Sequence, residues 1–369
     1  MRRLIAATTI AALAASPLPS AAQDPGAEPA APPAGATGGS PYARLLLLPE
    51  LSAVGSFAAA WNDYDVELLS PRSGPYSAHE GEPQFLFEEV ELGIRAAIDP
   101  YARADVFAAF TPEGLEVEEA YLTTLSLPFG LQVKAGTFFT PFGRENVLHP
   151  HARDFADAAL AADRLLAPEV LAGPGASVAW LSPLPWFAEL TLAAQSTEIG
   201  EGDRDRLTGT GRIAQYFPLG EATTLGVGLS GTVRAEGSGE HRDLLGADVY
   251  VRVRPPAARS WLALTAEAYA RRMGTALSEA DWGGYVQAFW RQGPRWGWGA
   301  RWDTAPTAEE STAEPGREHR VSALATWLPS EYQRVRLQVG WDRLPGGEGG
   351  IEALLGLEFS IGAHGAHAF

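Results

Sequence analysis

The chain has 369 residues, with 45 acidic against 28 basic side chains, a formal net charge of −17 and no cysteine. The absence of thiols excludes disulfides, thiolate catalysis and Cys-type zinc sites, and such acidity makes a nucleic-acid partner a poor fit. Hydrophobic residues make up 46% of the chain, yet after the N-terminal segment no uninterrupted apolar run reaches the length of a membrane-spanning helix, so any membrane span must be built from strands.

Residues 1–22 read as a secretory signal. Met1, Arg2 and Arg3 form a positive start, Leu4 to Ala15 an apolar stretch, and Ser20, Ala21 and Ala22 a small-residue cleavage site. Removing Arg2 and Arg3 takes the charge from −17 to −19. Residues 23–46 are rich in Ala, Pro and Gly and cannot bury enough apolar surface to offset their ordering entropy, which predicts a disordered leader. The rest of the chain, residues 47–369, reads as one transmembrane β-domain.

Within it, alternation of apolar and polar residues between turn signals predicts about sixteen strands of roughly 9–13 residues, the length a tilted strand needs to cross a bilayer. They run near Leu51 to Trp61, Gln84 to Ile98, Ala102 to Phe110, Leu115 to Leu127 and Leu131 to Thr137, then from Ala176, Trp186, Leu207, Ala222, Leu244, Trp261, Trp282, Arg295, Arg320, Tyr332 and Ile351 onwards. Short Pro- or Gly-rich turns such as Pro128-Phe129-Gly130 and Gly293-Pro294 alternate with mostly longer polar connections, and the pair Thr111 to Gly114 is the short exception in the second set. Two alternating loop classes are the pattern of periplasmic turns and extracellular loops in an up-and-down antiparallel barrel. A soluble β-sandwich or propeller also has many short strands but needs neither two loop classes nor outward aromatic residues. Trp296, Trp298 and Trp302 share one parity, and Trp61, Trp186, Trp261, Trp282, Trp290, Trp327 and Trp341 lie near strand ends, as aromatic girdles at two membrane interfaces require. The last strand closes on Phe369, an aromatic end that suits recognition by the barrel assembly machinery. The expected location is the outer membrane of a Gram-negative-type bacterium, with outer-membrane lipid against the barrel.

Assigning the aliphatic parity to lipid sends the opposite parity into the lumen. The expected wall residues are Glu89, Glu91, Arg95, Arg103, Asp105, Glu119, Lys134, Arg252, Arg301, Arg334 and Arg336. Both signs are present, and Lys134 is the only lysine. Arginine keeps its charge and offers a planar donor fork, although a GC-rich coding sequence produces the same bias. A barrel of this size is too wide for its wall side chains to fill, so a water-filled pore for small hydrophilic solutes or ions is expected.

The longest connection, residues 138–175, contains Thr140-Pro141-Phe142-Gly143-Arg144 and runs on with helical spacing over residues 156–166. A connection this long is usually functional. Folded inward, it would place Arg144, Glu145, His149, His151, Arg153, Asp154 and Asp157 at a pore constriction. His149 and His151 with Asp154 and Asp157 also invite a metal reading. Two histidines two apart on a loop are a weak signal, so a structural or electrostatic role is expected and no metal or other cofactor.

The run Asp99-Pro100-Tyr101-Ala102-Arg103-Ala104-Asp105, with Glu118-Glu119-Ala120-Tyr121, Lys134-Ala135-Gly136, Phe142-Gly143-Arg144 and His149-Pro150-His151, resembles porin-like outer-membrane barrels related to the phosphate-selective porin type. The resemblance covers about Leu51 to Pro185 and implies a sixteen-stranded, plugless, often homotrimeric channel. Phosphate-selective porins use lysine and arginine ladders, whereas this lumen carries many carboxylates, so the fold is carried over and the phosphate substrate is not. A TonB-dependent receptor is disfavoured by the lack of a folded plug before Leu51. Ser230 in Gly228-Leu229-Ser230-Gly231 lacks a nucleophile-elbow spacing, and no catalytic constellation stands out, so no enzyme activity is expected. The competing reading is a non-conducting structural or adhesion-type barrel.

Overall fold

The computed structural model describes residues 48–63, 82–167, 170–197, 206–234, 241–274, 280–307 and 316–362. The predicted signal segment, the leader and the Phe369 terminus lie outside them, as do parts of several of the longer connections. Sixteen strands form one closed barrel in which every strand is antiparallel to its neighbours. They are β1 (Glu50–Asn62), β2 (Gln84–Asp99), β3 (Ala102–Thr111), β4 (Gly114–Thr124), β5 (Leu131–Phe139), β6 (Ala172–Leu181), β7 (Phe187–Ser196) and β8 (Leu207–Leu219). They continue as β9 (Thr223–Arg234), β10 (His241–Val253), β11 (Trp261–Gly274), β12 (Ala280–Gln292), β13 (Trp296–Pro306), β14 (Arg317–Ser330), β15 (Gln333–Arg343) and β16 (Gly349–Gly362).

Closure comes from β1 pairing with β16, in unbroken register from Ser52 opposite Gly362 to Asn62 opposite Glu352. The predicted alternation of connection lengths holds: short turns such as those at residues 100–101, 220–222 and 331–332 are on one rim, and the strand ends Asn62 and Gln84, and Phe139 and Ala172, between which the chain runs longer, are on the other. Local chemistry sets several turns. Asp99 Oδ1 accepts from the backbone N–H groups of Tyr101 and Ala102 at 2.7 and 2.8 Å, and Ser330 Oγ accepts from Tyr332 N–H at 3.2 Å, so short polar side chains stand in for backbone partners.

The parity read from the sequence is the parity of the wall. On β15, Arg334, Arg336 and Gln338 are buried while Leu337, Val339 and Trp341 are exposed on the outer face. Outward rings of Trp296, Trp298 and Trp327 stack at centroid distances of 6.0 and 6.3 Å. Trp261 departs from the expected girdle. Its parity on β11 is that of the buried Ala263, Thr265 and Glu267, and its ring lies 5.5 Å from that of the buried Phe289. Alternation dictates the face, so proximity to a strand end does not make a tryptophan outward.

The register shifts at four places among the described residues, near the strand ends at Ala97/Asp99 and Trp327/Ser330 and at two bulges further inside β2 and β4. Ser56 of β1 opposes Glu89 while Phe57 opposes Phe87, leaving Glu88 as an extra residue in β2. Phe107 of β3 opposes Glu119 while Ala108 opposes Val117, leaving Glu118 as an extra residue in β4. A bulge turns the side chains around it to new directions.

The lumen holds the apolar core. Residues 140–167 lie against the inner wall, and Phe142, Leu160, Leu165, Leu166 and Leu171 cluster with the inward-facing Leu244, Tyr269 and Tyr285. Phe155 clusters with Phe289 and Leu324. Each fully buried leucine or phenylalanine contributes about 1.5–3 kcal/mol relative to exposure. The helix in this segment, α1 (Leu160–Leu165), is shorter than the spacing predicts. Six residues are marginal alone, and the wall supplies both ends: Asp303 Oδ1 accepts from Leu160 N–H at 3.0 Å, and Arg271 Nη1 donates to the Arg164 carbonyl at 3.0 Å.

A Leu337→Arg variant refolded into phospholipid vesicles is expected to lose about 2–4 kcal/mol of stability, the cost of a cation on the lipid face near the bilayer midplane. Guanidinium titration followed by tryptophan fluorescence measures it.

Candidate functional site

The residues singled out from the sequence fall into three groups along the inserted segment. The first surrounds the turn at Pro150–Ala152, where Ala152 N–H donates to the His149 carbonyl at 2.8 Å. The His149 ring is wedged between Phe107 and Phe139, with centroids 5.0 and 4.6 Å away, which fixes its plane. Its Nε2 lies 3.0 Å from Glu119 Oε2, and its Nδ1 lies 2.9 Å from Glu91 Oε2 and 3.2 Å from Glu118 Oε2. His151 Nδ1 lies 3.4 Å from the same Glu91 oxygen. Burial alone favours neutral His149, but its bonds with Glu118, Glu119 and Glu91 outweigh that and raise its pKa well above the usual imidazole value.

This corrects the partners expected for the histidines. Asp154 and Asp157 lie elsewhere in the segment, and the carboxylates facing the imidazoles come from β2 and β4. Glu118 was missed, because strict alternation sends it to lipid; the bulge in β4 lets Glu118 and Glu119 both face inward.

The second group is a row of buried arginines on β13 to β15 that holds the segment by its backbone. Arg334 donates to the carbonyls of His151 and Arg153, and Arg336 to those of Arg153 and Phe155. Both also pair with Glu358 on β16. Gln338 accepts from Ala156 N–H at 2.8 Å and donates to Asp157 at 2.7 Å. Arg301 reaches Asp157 Oδ1 at 2.7 Å, donates to the Asp157 and Ala158 carbonyls, pairs with Asp303 at 2.8 Å, and sits 4.6 Å over the Phe155 ring. A fork of several donors suits this, since one guanidinium serves a carboxylate and two carbonyls at once.

The third group lines a cavity of about 170 Å³ between the segment and β10 to β13, with Arg144, Arg153, Asp154, Tyr250, Tyr285 and Gln287 among its walls. Arg144 donates to Tyr216 Oη at 2.8 Å and lies 4.1 Å over the Tyr250 ring. Its backbone N–H donates to Glu267 Oε1 at 2.7 Å, as does that of Glu145 at 3.0 Å. Gly143 has φ +60°, and a Cβ there would lie 2.6 Å from Glu267 Oε2, so glycine is required at this approach. Arg153 Nε is 3.3 Å from Glu145. Burial raises the Asp154 carboxyl above its ordinary range.

Other wall residues occupy their expected faces in different company. Asp105 accepts from Arg95 at 2.7 Å and Arg103 at 2.8 Å. Lys134 lies 3.9 Å over the Tyr121 ring, and Arg252 lies 4.6 Å over Trp261. Ser230 Oγ accepts from Gly143 N–H at 3.1 Å and from Arg212 at 2.8 Å, which makes it a wall contact of the segment. Apolar inward residues such as Phe107, Leu244, Phe289 and Leu324 were also missed; their signal is an apolar residue on the polar parity.

No protein-family model matches the chain. It is 28% identical to an uncharacterized protein of Aquifex aeolicus (strain VF5), over 89% of this chain and 82% of that one. Among solved structures it is similar to OprB of Pseudomonas putida, with a TM-score of 0.59 and 10% identity over 85% of this chain and 94% of that one. It is also similar to an anion-selective porin from Comamonas acidovorans, with a TM-score of 0.56 and 11% identity over 85% and 99% of the two chains. At these identities the likeness carries the porin-type barrel fold, without distinguishing the phosphate-selective type.

An Arg336→Ala variant is expected to lose about 3–5 kcal/mol, because a buried ion pair is broken and Glu358 keeps less of its neutralising charge. Hydrogen exchange at the amides of Ala156 and Leu160 should speed up as the backbone anchors are lost, and mass spectrometry of peptides spanning 152–160 reads it.

Proposed function

We propose that this chain is an outer-membrane channel for passive diffusion of small hydrophilic solutes or ions, constricted by residues 140–167. The observation that carries the reading is the charged cavity between that segment and the wall, inside a closed barrel whose outer face is apolar. An apolar exterior suits the barrel to lipid, and closure gives each strand a paired neighbour on both sides. A polar lumen holds water, and an inserted segment sets the narrowest passage.

Arg144, Arg153, Glu145 and Asp154 all line this cavity, with Arg153 3.3 Å from Glu145, so a passing ion meets both signs of charge. A unit charge acting at 4 Å contributes about 1 kcal/mol even in water-like surroundings, enough to set ion preference. The solute class follows from this mixed lining: small, hydrophilic and able to shed part of its hydration against arginine and carboxylate. The resemblance to the phosphate-selective type adds the expectation of a homotrimer, and the terminal strand that of handling by the barrel assembly machinery.

One observation favours the non-conducting reading. Bonds along residues 151–160 hold the segment to β13 and β15 and leave the cavity small. Planar-bilayer recording separates the two. Ohmic, salt-dependent steps from purified, heat-modifiable protein are expected, and silence from a folded sample would support a structural barrel.

Replacing both Arg144 and Arg153 with Ala should shift the reversal potential in a salt gradient towards cation preference, with a roughly five-fold change in permeability ratio for about 1 kcal/mol. An unchanged reversal potential removes these side chains from the selectivity mechanism.

A further inference from the structure

We infer that the His149–His151 turn and the carboxylates facing it from β2 and β4 form a binding site for a divalent transition metal of the zinc type, which pins the inserted segment to the barrel wall. The inference does not depend on whether the barrel conducts. It begins with the spacing of donor atoms. His149 Nδ1, Glu91 Oε2 and Glu118 Oε2 approach at 2.9 and 3.2 Å about the nitrogen, and all three lie within 4.8 Å of one another. Zinc bonds of about 2.0–2.2 Å to nitrogen and oxygen place adjacent tetrahedral ligands about 3.3–3.6 Å apart, so these donor atoms need to spread by only a few tenths of an ångström to hold the ion.

One ring nitrogen facing two carboxylate oxygens can give its single proton to only one of them in good geometry. A cation between the three atoms satisfies all of them together. The opposite nitrogen completes the arrangement: Nε2 lies 3.0 Å from Glu119, the carboxylate–histidine pairing that fixes the tautomer and turns Nδ1 towards a metal.

The second observation comes from the other side of Glu91. Glu89, Glu91 and His151 form a further group whose ligand atoms lie within 4.8 Å of one another. Glu89 is 8% exposed, and its Oε1 has no hydrogen-bond partner. A buried carboxylate oxygen without a donor is costly, and a metal is one of the partners that removes the cost. Four carboxylates here face two imidazoles, while Arg95 and Arg103 are engaged by Asp105. The negative charge is in excess, and a dication held by neutral imidazoles brings the same two positive charges as two imidazolium groups but concentrates them among the carboxylate oxygens. Imidazole with carboxylate selects zinc-type ions over calcium or magnesium.

Zinc added to EDTA-treated, folded, full-length protein should bind at about one equivalent per chain in isothermal titration calorimetry. Hydrogen exchange in peptides covering 149–152 should slow on addition. Glu119→Gln should weaken binding roughly 10–100-fold by loosening the imidazole, and His149→Gln with His151→Gln should abolish it. Glu118→Gln, which retains the side-chain shape, is the second variant should the histidine changes prevent folding, and it too should weaken binding. A folded wild type that binds neither zinc nor cobalt would show that protons alone neutralise the cluster and would overturn the inference. So would zinc binding with unchanged exchange at 149–152, which places the ion elsewhere.

Discussion

Closure of the sheet is the constraint from which the rest of the structure follows. Each strand pairs on both sides, with β1 completing the ring against β16, and the shortest ladder is that of β4 with β5 over Ala120–Thr123. An open sheet edge in hydrocarbon costs several kcal/mol for each unpaired group, which leaves closed barrels as the strand solution. Closure also divides side chains into two populations. One parity of each strand builds the outer apolar surface, and the other builds a wall around a space too wide for it to fill.

The inserted segment occupies part of that space, and the chemistry of its attachment follows from dehydration. Its backbone leaves water without the ladder partners of a strand, so its carbonyls need donors from the wall. Arg301, Arg334 and Arg336 supply them while pairing with Asp157, Asp303 and Glu358. Apolar patches do the remaining work: Phe142 and α1 pack on β10 to β13, and Phe155 packs on β12 and β14. The lumen therefore has two regions, a dry one where the segment is seated and a charged cavity beside it. Arg301, Arg334 and Arg336 serve the first, and Arg144, Arg153 and Asp154 face the second.

Much of this was legible beforehand because a strand has a strict two-residue period. The outward positions of Leu337, Val339 and Trp341 and the inward ones of Arg334, Arg336 and Gln338 required nothing beyond alternation. Alternation also explains what was misread. Trp261 lies on the inward parity, and its placement near a strand end carried no information about its face. Glu118 and Leu86 are inward because of bulges at residues 118 and 88, and a one-residue insertion in pairing leaves no mark on the hydrophobic pattern. The partners of His149 were hidden for another reason. Glu91 and Glu118 stand 58 and 31 residues away in sequence, and only the meeting of β2, β4 and the inserted segment brings them to one ring.

The sequence by itself determined the number of strands, the two classes of connection, the lipid and lumen faces and the charged character of the inserted segment, because these depend on local periodicity and turn chemistry. Only the tertiary structure decided which wall residues hold that segment, that α1 is a single capped turn and a half, and that two histidines meet four glutamates. Those outcomes depend on register, bulges and dehydration across the barrel, where the free energy of a side chain is set by neighbours that no local stretch of sequence contains.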